Sequence, residues 1–410
     1  MEHFEERRII EALRSGIPSR AVGRVFTEAR AAIQQKIADA LLETAEGRSQ
    51  GMVISGKYGE GKTHLLQTVF NMAMEQNMVV SLISLGKETP MDKLSLVYQR
   101  VMANTYLPGR QQPGISSLYN ALTQGSPAFS DLQLFTLKEL ESDKLYFLIR
   151  SLVGLMAAEE AESRFLLEAD LEGDYVSNAE LKRIYKRLYN QTAKYEHPFS
   201  KTKHAQDYFA LMSELFLQMG YSGWVILFDE AELIGRLGKK TRQNAYRQIA
   251  RFLYPEENFR SVFSLFAVSA SFEEDVIEGK HDYENAELIF PEEIAPGVCQ
   301  TIRAVLKDIE GAYQLQPLTK AEMAEVLLKV KSYHELAYGW KASISDEALI
   351  RASEAGGYLL RTRLRSAIET LDQLYQYGSE ASLRIGALTQ EDLSEEDIPS
   401  LEGLMEGEDS

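Results

Sequence analysis

Short apolar runs alternate with amphipathic stretches along much of this chain. Four runs are rich in β-branched and aromatic residues and predict buried strands: "GMVISG" (51–56), "MVVSLISL" (78–85), "WVILFD" (224–229) and "SVFSLFAVSAS" (261–271). Between the first two, residues 62–76 consist of good helix formers with apolar positions at helical spacing. A strand, a helix and a strand in succession favour an α/β fold built on a parallel sheet.

Other parts of the chain have helical periodicity only. Residues 1–47 form an N-terminal helical segment with a break near Ser15 to Pro18, where glycine and proline interrupt the pattern. Residues 92–218 are mostly helical and too long for a simple crossover, so we interpret them as a helical insertion. We therefore expect an α/β core of residues 48–314 that contains this insertion.

The C-terminal part of the chain is helical and then acidic. "TKAE" (319–322) is a capping box that opens one helix, "SDEA" (345–348) opens a second, and a third runs from about residue 360 to 375. These helices predict a small all-helical domain of residues 315–388. Residues 389–410 contain nine acids and no lysine or arginine, which predicts a disordered tail.

Composition narrows the class of protein. The 410 residues are 45% hydrophobic and 26% charged, as in globular proteins of two or three domains. No apolar run approaches the length of a membrane helix, and the charged start "MEHFEERRIIEALRSG" is unlike a signal peptide, so we expect a cytoplasmic protein. Cys299 is the only cysteine, which excludes an internal disulfide and a cysteine-built metal site.

The stretch "ISGKYGEGKTHLL" (54–66) fits the P-loop spacing of glycine, four residues, glycine, lysine and threonine. Taken alone, it could be a glycine-bearing turn that contains a lysine. It lies between a predicted strand and a predicted helix, however, where glycines let backbone N–H groups turn toward phosphate oxygens. The predicted nucleotide-binding residues are Gly56, Lys57, Tyr58, Gly59, Glu60, Gly61, Lys62, Thr63 and His64.

A second motif, "VILFDE" (225–230), ends another apolar run with two acids. We expect the Thr63 hydroxyl to bind Mg²⁺ and Asp229 to hold the ion either directly or through one of its other ligands. Glu230 is expected to polarise a water for attack on the γ-phosphate, while Lys62 contacts the β- and γ-phosphates. The alternative is that Asp229 and Glu230 only cap a helix beginning at Ala231. Both motifs occur in order and each at a strand end, which favours a site for ATP and Mg²⁺.

Two further groups are candidate sensors of the nucleotide. Ser269 or Ser271, at the end of the fourth predicted strand, is placed to sense the γ-phosphate, or is simply a small polar residue at a strand end. Arg361, Arg363 and Arg365 follow a double glycine in the last helix, and a permanently charged guanidinium suits phosphate. The alternative for the arginines is an exposed face of an amphipathic helix, which applies to at least two of them.

Two stretches are basic. Residues 235–251, "GRLGKKTRQNAYRQIAR", contain six lysines and arginines and no acid. They suit a DNA-facing surface or an arginine supplied to a neighbouring subunit's ATP, and the candidate DNA contacts are Arg236, Lys239, Lys240 and Arg242. Residues 181–195 interleave basic and aromatic residues, but we interpret them as a helix with a solvated charged face.

Five stretches together resemble the ATP-binding proteins of BREX-type bacterial phage-defence systems, a branch of the AAA+ ATPases near the origin-recognition and initiator proteins. They are "IIEALRSGIPSRAVGRVF", "ISGKYGEGKTHLL", "VVSLISLGKETP", "VILFDEAE" and "GGYLLRTRLRSAIETLD". The resemblance implies a P-loop NTPase fold with flanking helices, the helical insertion and a C-terminal helical lid domain. Gly56, Gly61, Lys62 and Thr63 match the family's Walker A motif, Asp229 and Glu230 its Walker B motif, and Arg361 its second sensor.

The chain departs from the wider AAA+ pattern in three respects. Its first sensor is serine rather than the commoner asparagine, no arginine can be assigned to act in a neighbouring subunit, and the C-terminus is too short and acidic for a winged-helix DNA reader. The resemblance implies an ATPase that works beside a helicase or other DNA-processing subunit, as a possible homo-oligomer. Two alternatives are an ATP-bound switch or adaptor with negligible turnover, and a kinase, which is the least favoured.

Overall fold

The computed structural model describes residues 3–16, 19–27, 30–158 and 160–378, which form two compact units. The sheet unit spans Pro18–Leu318, and the helical unit combines Met1–Ile17 with the part of the chain from Thr319 on. The predicted N-terminal segment of residues 1–47 is therefore divided between the two units. The predicted acidic tail, residues 389–410, lies outside the described residues.

The sheet of the sheet unit is mostly parallel. In the described part of the chain its strands are β1 (Gln50–Gly56), β2 (Val79–Ser84), β3 (Thr105–Tyr106), β4 (Trp224–Asp229), β5 (Val262–Ser269) and β6 (Tyr313–Gln314), in the order β3-β2-β4-β5-β1-β6. The four predicted strands are confirmed. The predicted parallel sheet is confirmed for β2, β4, β5, β1 and β6, and only the edge strand β3, which was not predicted, pairs antiparallel, with β2. A two-residue strand is too short to show periodicity in the sequence.

Helices lie before, between and after these strands. Those of the sheet unit are α2 (Arg20–Val25), α3 (Ala31–Ala45), α4 (Lys62–Glu75), α5 (Leu94–Ala103), α6 (Ser116–Tyr119), α7 (Pro127–Lys138), α8 (Lys144–Ala157), α9 (Ala161–Leu171), α10 (Asn178–Tyr189), α11 (Ala205–Gln218), α12 (Lys239–Leu253), α13 (Asp282–Ile289) and α14 (Val298–Glu310). A 3₁₀ helix (Ala231–Arg236) follows β4, and a π-helix (Glu273–Glu278) follows β5. Among the described residues, no helix combines the length and the apolar character that crossing a bilayer requires.

Alternate residues of the central strands belong to two apolar layers, one on each face of the sheet. On β4, Val225 and Leu227 pack in the layer that includes α3 and α4, whereas Ile226 and Phe228 pack in the layer that includes α5, α11 and α12. Phe228 stacks on Phe266 of β5 with 4.3 Å between ring centroids. Burial on both faces explains the nearly continuous apolar spelling of these strands.

The helical insertion is held around one buried ion pair. Lys144 at the start of α8 and Asp170 near the end of α9 are both inaccessible to solvent and joined by a salt bridge. Asp170 also accepts a hydrogen bond from the Tyr208 hydroxyl of α11 at 2.6 Å, and one from the Val176 amide. Burial raises the pKa of Asp170 and lowers that of Lys144, while their mutual attraction opposes both shifts.

The helical unit consists of α1 (Phe4–Ser15), α15 (Lys320–Tyr338), α16 (Asp346–Ser353), a 3₁₀ turn (Glu354–Gly356) and α17 (Leu360–Tyr377). Its predicted caps are confirmed, since Thr319 and Glu322 form a capping box and the Ser345 hydroxyl accepts from the Ala348 amide. Arg14 of α1 donates to both carboxylate oxygens of Asp372 on α17 at 2.7 and 3.0 Å. This pair joins the first helix to the C-terminal ones.

Candidate nucleotide-binding site

The P-loop connects the end of β1 at Gly56 to the beginning of α4 at Lys62. Gly59 and Gly61 have φ angles of 78° and 90°, in the left-handed region that side chains with a Cβ rarely adopt. The loop can therefore turn tightly onto the N-terminus of a 14-residue helix. A glycine loop that leads into a helix N-terminus offers backbone N–H groups and the positive end of the helix dipole, which suit an anion.

Two side chains hold the loop in shape. Oε2 of Glu60 accepts the backbone N–H of Lys57 at 2.7 Å, and the Glu60 amide donates to the Lys57 carbonyl at 3.3 Å. The ammonium of Lys62 donates to the carbonyl of Gly56 at 2.9 Å, and that side chain is only 9% exposed. The side chains of Lys57 and Tyr58, in contrast, are exposed.

The segment before α3 supports the loop from outside. Arg30 donates to the carbonyls of Glu60 and Gln316, so it links the P-loop to the chain just after β6. The Nε2 of His64 lies 2.9 Å from the Phe26 carbonyl, so that nitrogen carries the proton. Burial and the nearby Arg30 charge lower the pKa of His64 despite this hydrogen bond. No sequence signal indicated Arg30, because its contacts lie 30 and 286 residues away.

The predicted acids and serines lie at the same edge of the sheet as the P-loop. Gly56 pairs with Ser269 in the β1–β5 register, and the Ala270 amide donates to the Gly56 carbonyl at 3.1 Å. The hydroxyls of Ser269 and Ser271 are 3.2 Å apart, so the two alternatives for the first sensor occur side by side. β4, which ends at Asp229, is the next strand beyond β5.

Asp229 and Glu230 have different environments. Asp229 is 6% exposed, and its Oδ1 accepts the Glu230 amide at 2.9 Å. Glu230 is exposed and has a φ of 55°, a left-handed conformation that is uncommon for a glutamate. The carboxylate of Asp229 therefore stabilises the turn that follows the strand, and this turn places the Glu230 side chain at the solvent-facing edge.

Glu232 is a further acid near the candidate site that the two motifs did not indicate. It lies in the 3₁₀ helix after β4, and its Oε2 is buried without a hydrogen-bond partner among the described residues. Burial raises the pKa of Glu232, while the Lys62 ammonium and the amide of Ser269 oppose the shift. The Glu232 carboxyl thus lies close enough to Lys62 and to the end of β5 to interact with both. The third acid of "DEAE" was the available signal.

The candidate arginines of α17 belong to the helical unit and have different partners there. Arg363 donates to the Ser353 hydroxyl at 2.9 Å, and Arg365 pairs with Glu369 at 3.0 Å on the helix surface. The guanidinium of Arg361 packs beside the backbone of Gly16. Packing within the unit thus explains Arg363, and a surface ion pair explains Arg365.

The prediction that Arg242 contacts DNA is wrong. Arg242 is 3% exposed and donates to both carboxylate oxygens of Asp282 at 2.7 and 2.8 Å, and to the Leu237 carbonyl. The Tyr246 hydroxyl donates to the same carboxylate at 2.7 Å. Arg242 therefore fixes α12 to α13 and is not on the surface. Of the other five basic residues of this stretch, Arg236, Lys239, Lys240 and Arg247 are exposed, and Arg251 is partly buried.

The arrangement fits a nucleoside triphosphate and its metal. Left-handed glycines at 59 and 61 open the backbone cradle, and a Cβ at Gly56 would already lie 3.3 to 3.5 Å from Leu315, Lys62 and Glu60. The Lys62 ammonium lies at the base of the loop, and a carboxylate ends the strand two positions across the sheet. Phosphate needs such amides and an ammonium, and Mg²⁺ prefers carboxylate and hydroxyl oxygens.

Comparison with known proteins identifies a family. The family model for the BREX system ATP-binding protein BrxC/D matches residues 2–123 and 200–382, about three quarters of the chain. The stretch between the two matched segments, 124–199, lies within the helical insertion. A search of curated proteins finds no match.

Proposed function

Since the chain belongs to the family of BREX system ATP-binding proteins BrxC/D, a membership that implies ATP binding in phage defence, we propose that it hydrolyses ATP with Mg²⁺. The observation that carries this proposal is the shared sheet edge. Asp229 and Ser269 end parallel strands at that edge, and the P-loop and Glu230 directly follow such strands there, where α/β proteins bind ligands.

Each residue has a proposed role. The amides of the P-loop and the Lys62 ammonium bind the β- and γ-phosphates. Thr63 and Asp229 would hold Mg²⁺, which would neutralise charge on the phosphate. Glu230 orients and deprotonates the attacking water, for which its exposed position at the edge suits it. Ser269 serves as the first sensor and detects the γ-phosphate, and Arg361 serves as the second sensor of the nucleotide.

Comparing wild type with Glu230→Gln tests hydrolysis. We expect phosphate release to fall at least about 100-fold, as for loss of a general base, while ATP affinity is retained. Glu293→Gln, at an exposed carboxylate of the same unit, is the control and should behave as wild type. Wild-type turnover no faster than that of the Gln variant, with and without DNA, would favour the ATP-bound switch. Transfer of labelled phosphate to another molecule would indicate a kinase.

We also propose that the ATPase cycle is coupled to a helicase or other DNA-processing subunit of the same system. The exposed residues Arg236, Lys239 and Lys240 support a DNA contact close to the Walker B strand, because they follow it directly in the chain. Formation of a homo-oligomer remains a prediction. Measuring the mass in solution with and without ATP tests it, and an unchanged monomer mass in both conditions would contradict it.

A further inference from the structure

The first helix ends against the side chain of Arg361. Gly16, which caps α1, has φ 65° and ψ 21°, and its amide donates to the carbonyls of Ala12 and Leu13. A Cβ built on Gly16 would lie 2.4 Å from Nε of Arg361, 2.7 Å from Nη2 and 2.9 Å from Cζ. These distances are too short for any carbon contact. The guanidinium therefore occupies the space that a side chain at position 16 would need.

Neighbouring contacts fix Gly16 relative to α17. The bidentate pair between Arg14 and Asp372 joins the last turn of α1 to α17, and the Tyr338 hydroxyl of α15 accepts from Arg14 at 3.1 Å. Gly16 follows Arg14 by two residues, and Arg361 is the second residue of α17. The position of the Gly16 backbone is thus set independently of the flexible side chain that packs on it.

We propose that Gly16 is a positioning residue for Arg361, so that the N-terminal helix sets the direction of the guanidinium. A long arginine side chain has many rotamers, and a group that recognises phosphate must be held close to one geometry. Contact with a glycine backbone narrows these rotamers without adding a charge. The functional consequence rests on the proposed sensor role of Arg361, whereas the positioning itself does not.

A matched pair of glycines separates backbone strain from displacement of the arginine. Gly339 ends α15 with φ 66°, nearly the same angle as Gly16, but a Cβ there would meet nothing within 4 Å. Gly16→Ala and Gly339→Ala therefore introduce the same left-handed alanine, and only the first displaces Arg361. Gly16→Asn is the second test variant, because asparagine tolerates left-handed φ while its Cβ still meets the guanidinium.

Arginine labelling with phenylglyoxal, mapped by peptide mass, reports the position of Arg361 directly. We expect labelling of Arg361 to become several-fold faster in Gly16→Ala and Gly16→Asn, and to stay at the wild-type rate in Gly339→Ala. Labelling of Arg365, which pairs with Glu369, serves as the reference within each sample. Equal Arg361 labelling in wild type and both Gly16 variants would overturn the inference.

Nucleotide binding then distinguishes the positioning from the sensor role. We expect Arg361→Ala to lower the ratio of ATP affinity to ADP affinity several-fold. Gly16→Asn should lower the same ratio when Arg361 is present, and should have no further effect when Arg361 is already replaced by alanine. If Arg361→Ala leaves the ratio unchanged while Gly16 substitutions accelerate labelling, the sensor role fails and the positioning stands. If Arg361→Ala lowers the ratio and Gly16→Asn does not, Gly16 does not position Arg361 for this role.

Discussion

Asp207, near the beginning of α11, binds two backbone amides of the loop that precedes α8. Its Oδ2 accepts the Ser142 amide at 2.8 Å and its Oδ1 the Glu141 amide at 3.3 Å, and the residue is only 4% exposed. Burial raises the pKa of Asp207 to about 6, although both amides favour the charged form. The carboxyl therefore titrates in a range where an exposed aspartate is already ionised.

This pKa predicts how stability changes with pH. Between about pH 4 and pH 6 the folded protein keeps a proton on Asp207 that the unfolded chain has lost, so the contribution of this residue to the free energy of unfolding falls as pH rises. The fall should reach about 3 kcal/mol for a shift of roughly two pKa units. Urea unfolding of wild type and Asp207→Asn across this range measures it, because other titrating groups cancel in the difference.

The matched control is Asp131→Asn, at an exposed aspartate of the same unit. The difference in the free energy of unfolding between Asp131→Asn and wild type should not vary between pH 4 and pH 6. If the difference in the free energy of unfolding between wild type and Asp207→Asn is also independent of pH in this range, the raised pKa of Asp207 is contradicted.

At the same scale, the sequence predicts residues whose role depends on local spacing and misses those whose partners are distant. The position of Gly59, Gly61 and Lys62 between a strand and a helix could be predicted because the whole P-loop lies within one short stretch of sequence. Arg242 was misplaced because the carboxylate that binds it, Asp282, is 40 residues further along the chain. Its basic neighbours gave it the appearance of a surface residue, and no pattern in the stretch marks the one arginine that is buried.

Among the elements, strands and helix starts could be predicted with the same logic. β1, β2, β4 and β5 are buried on both faces, so their apolar runs are unbroken, and Thr319 and Ser345 carry the cap hydrogen bonds in their own side chains. The assignment of α1 to the C-terminal helices could not be predicted. The amphipathic pattern of α1 predicts that one of its faces is buried. It does not identify the partner, because the contacts of Arg14 are with residues more than 320 positions further along the chain.

The network around Asp372 explains why α1 joins those helices. His334, fully buried on α15, lies with Nε2 3.0 Å from Asp372, and its Nδ1 accepts the Trp340 indole N–H at 3.0 Å. The second contact leaves the proton on Nε2, which donates to the carboxylate. Burial raises the pKa of Asp372, but the hydrogen bonds from His334 and Arg14 outweigh it and hold the pKa below its ordinary value.

Arg14→Met should therefore detach α1. The substitution keeps much of the apolar stem but leaves Asp372 without its bidentate partner, which should destabilise the helical unit by about 1 to 3 kcal/mol. Faster hydrogen exchange at the amides of α1 in the variant would show the effect. In wild type the stabilisation by Asp372 is present above about pH 4 and lost as pH falls through its lowered pKa.

Arg8→Met provides the comparison on the same helix. Arg8 is exposed and lies 5.9 Å from the centroid of the Phe4 ring, a weak surface contact. We expect hydrogen exchange of α1 to be unchanged in this variant. Equal protection of α1 in Arg14→Met and Arg8→Met would show that the ion pair does not hold the helix.

For the whole molecule, the formal net charge of -17 opposes binding to a polyanion, so DNA contact requires a local basic surface. Two surfaces of the sheet unit are candidates. On α10, Arg183 pairs with Glu180 and Arg187 pairs with Glu160. These two ion pairs neutralise part of the basic face of the helix. Arg236, Lys239 and Lys240 have no ion-pair partner among the described residues. The second surface is therefore the stronger candidate.

The salt dependence of DNA affinity can test which surface binds DNA, because each neutralised phosphate releases counterions. Replacing Arg236, Lys239 and Lys240 by glutamine should weaken DNA binding and reduce the slope of log affinity against log salt by about 0.9 for each phosphate that the protein no longer neutralises. The double variant Lys186→Gln/Lys194→Gln removes two exposed charges, one on α10 and one in the segment that follows it, and should leave the slope unchanged. Arg242 must stay intact, since its loss would leave Asp282 buried and unpaired and disturb α12 itself. An unchanged slope in the triple variant would exclude this surface as the DNA contact, and a reduced slope in the double variant would assign the contact to α10 and the segment that follows it.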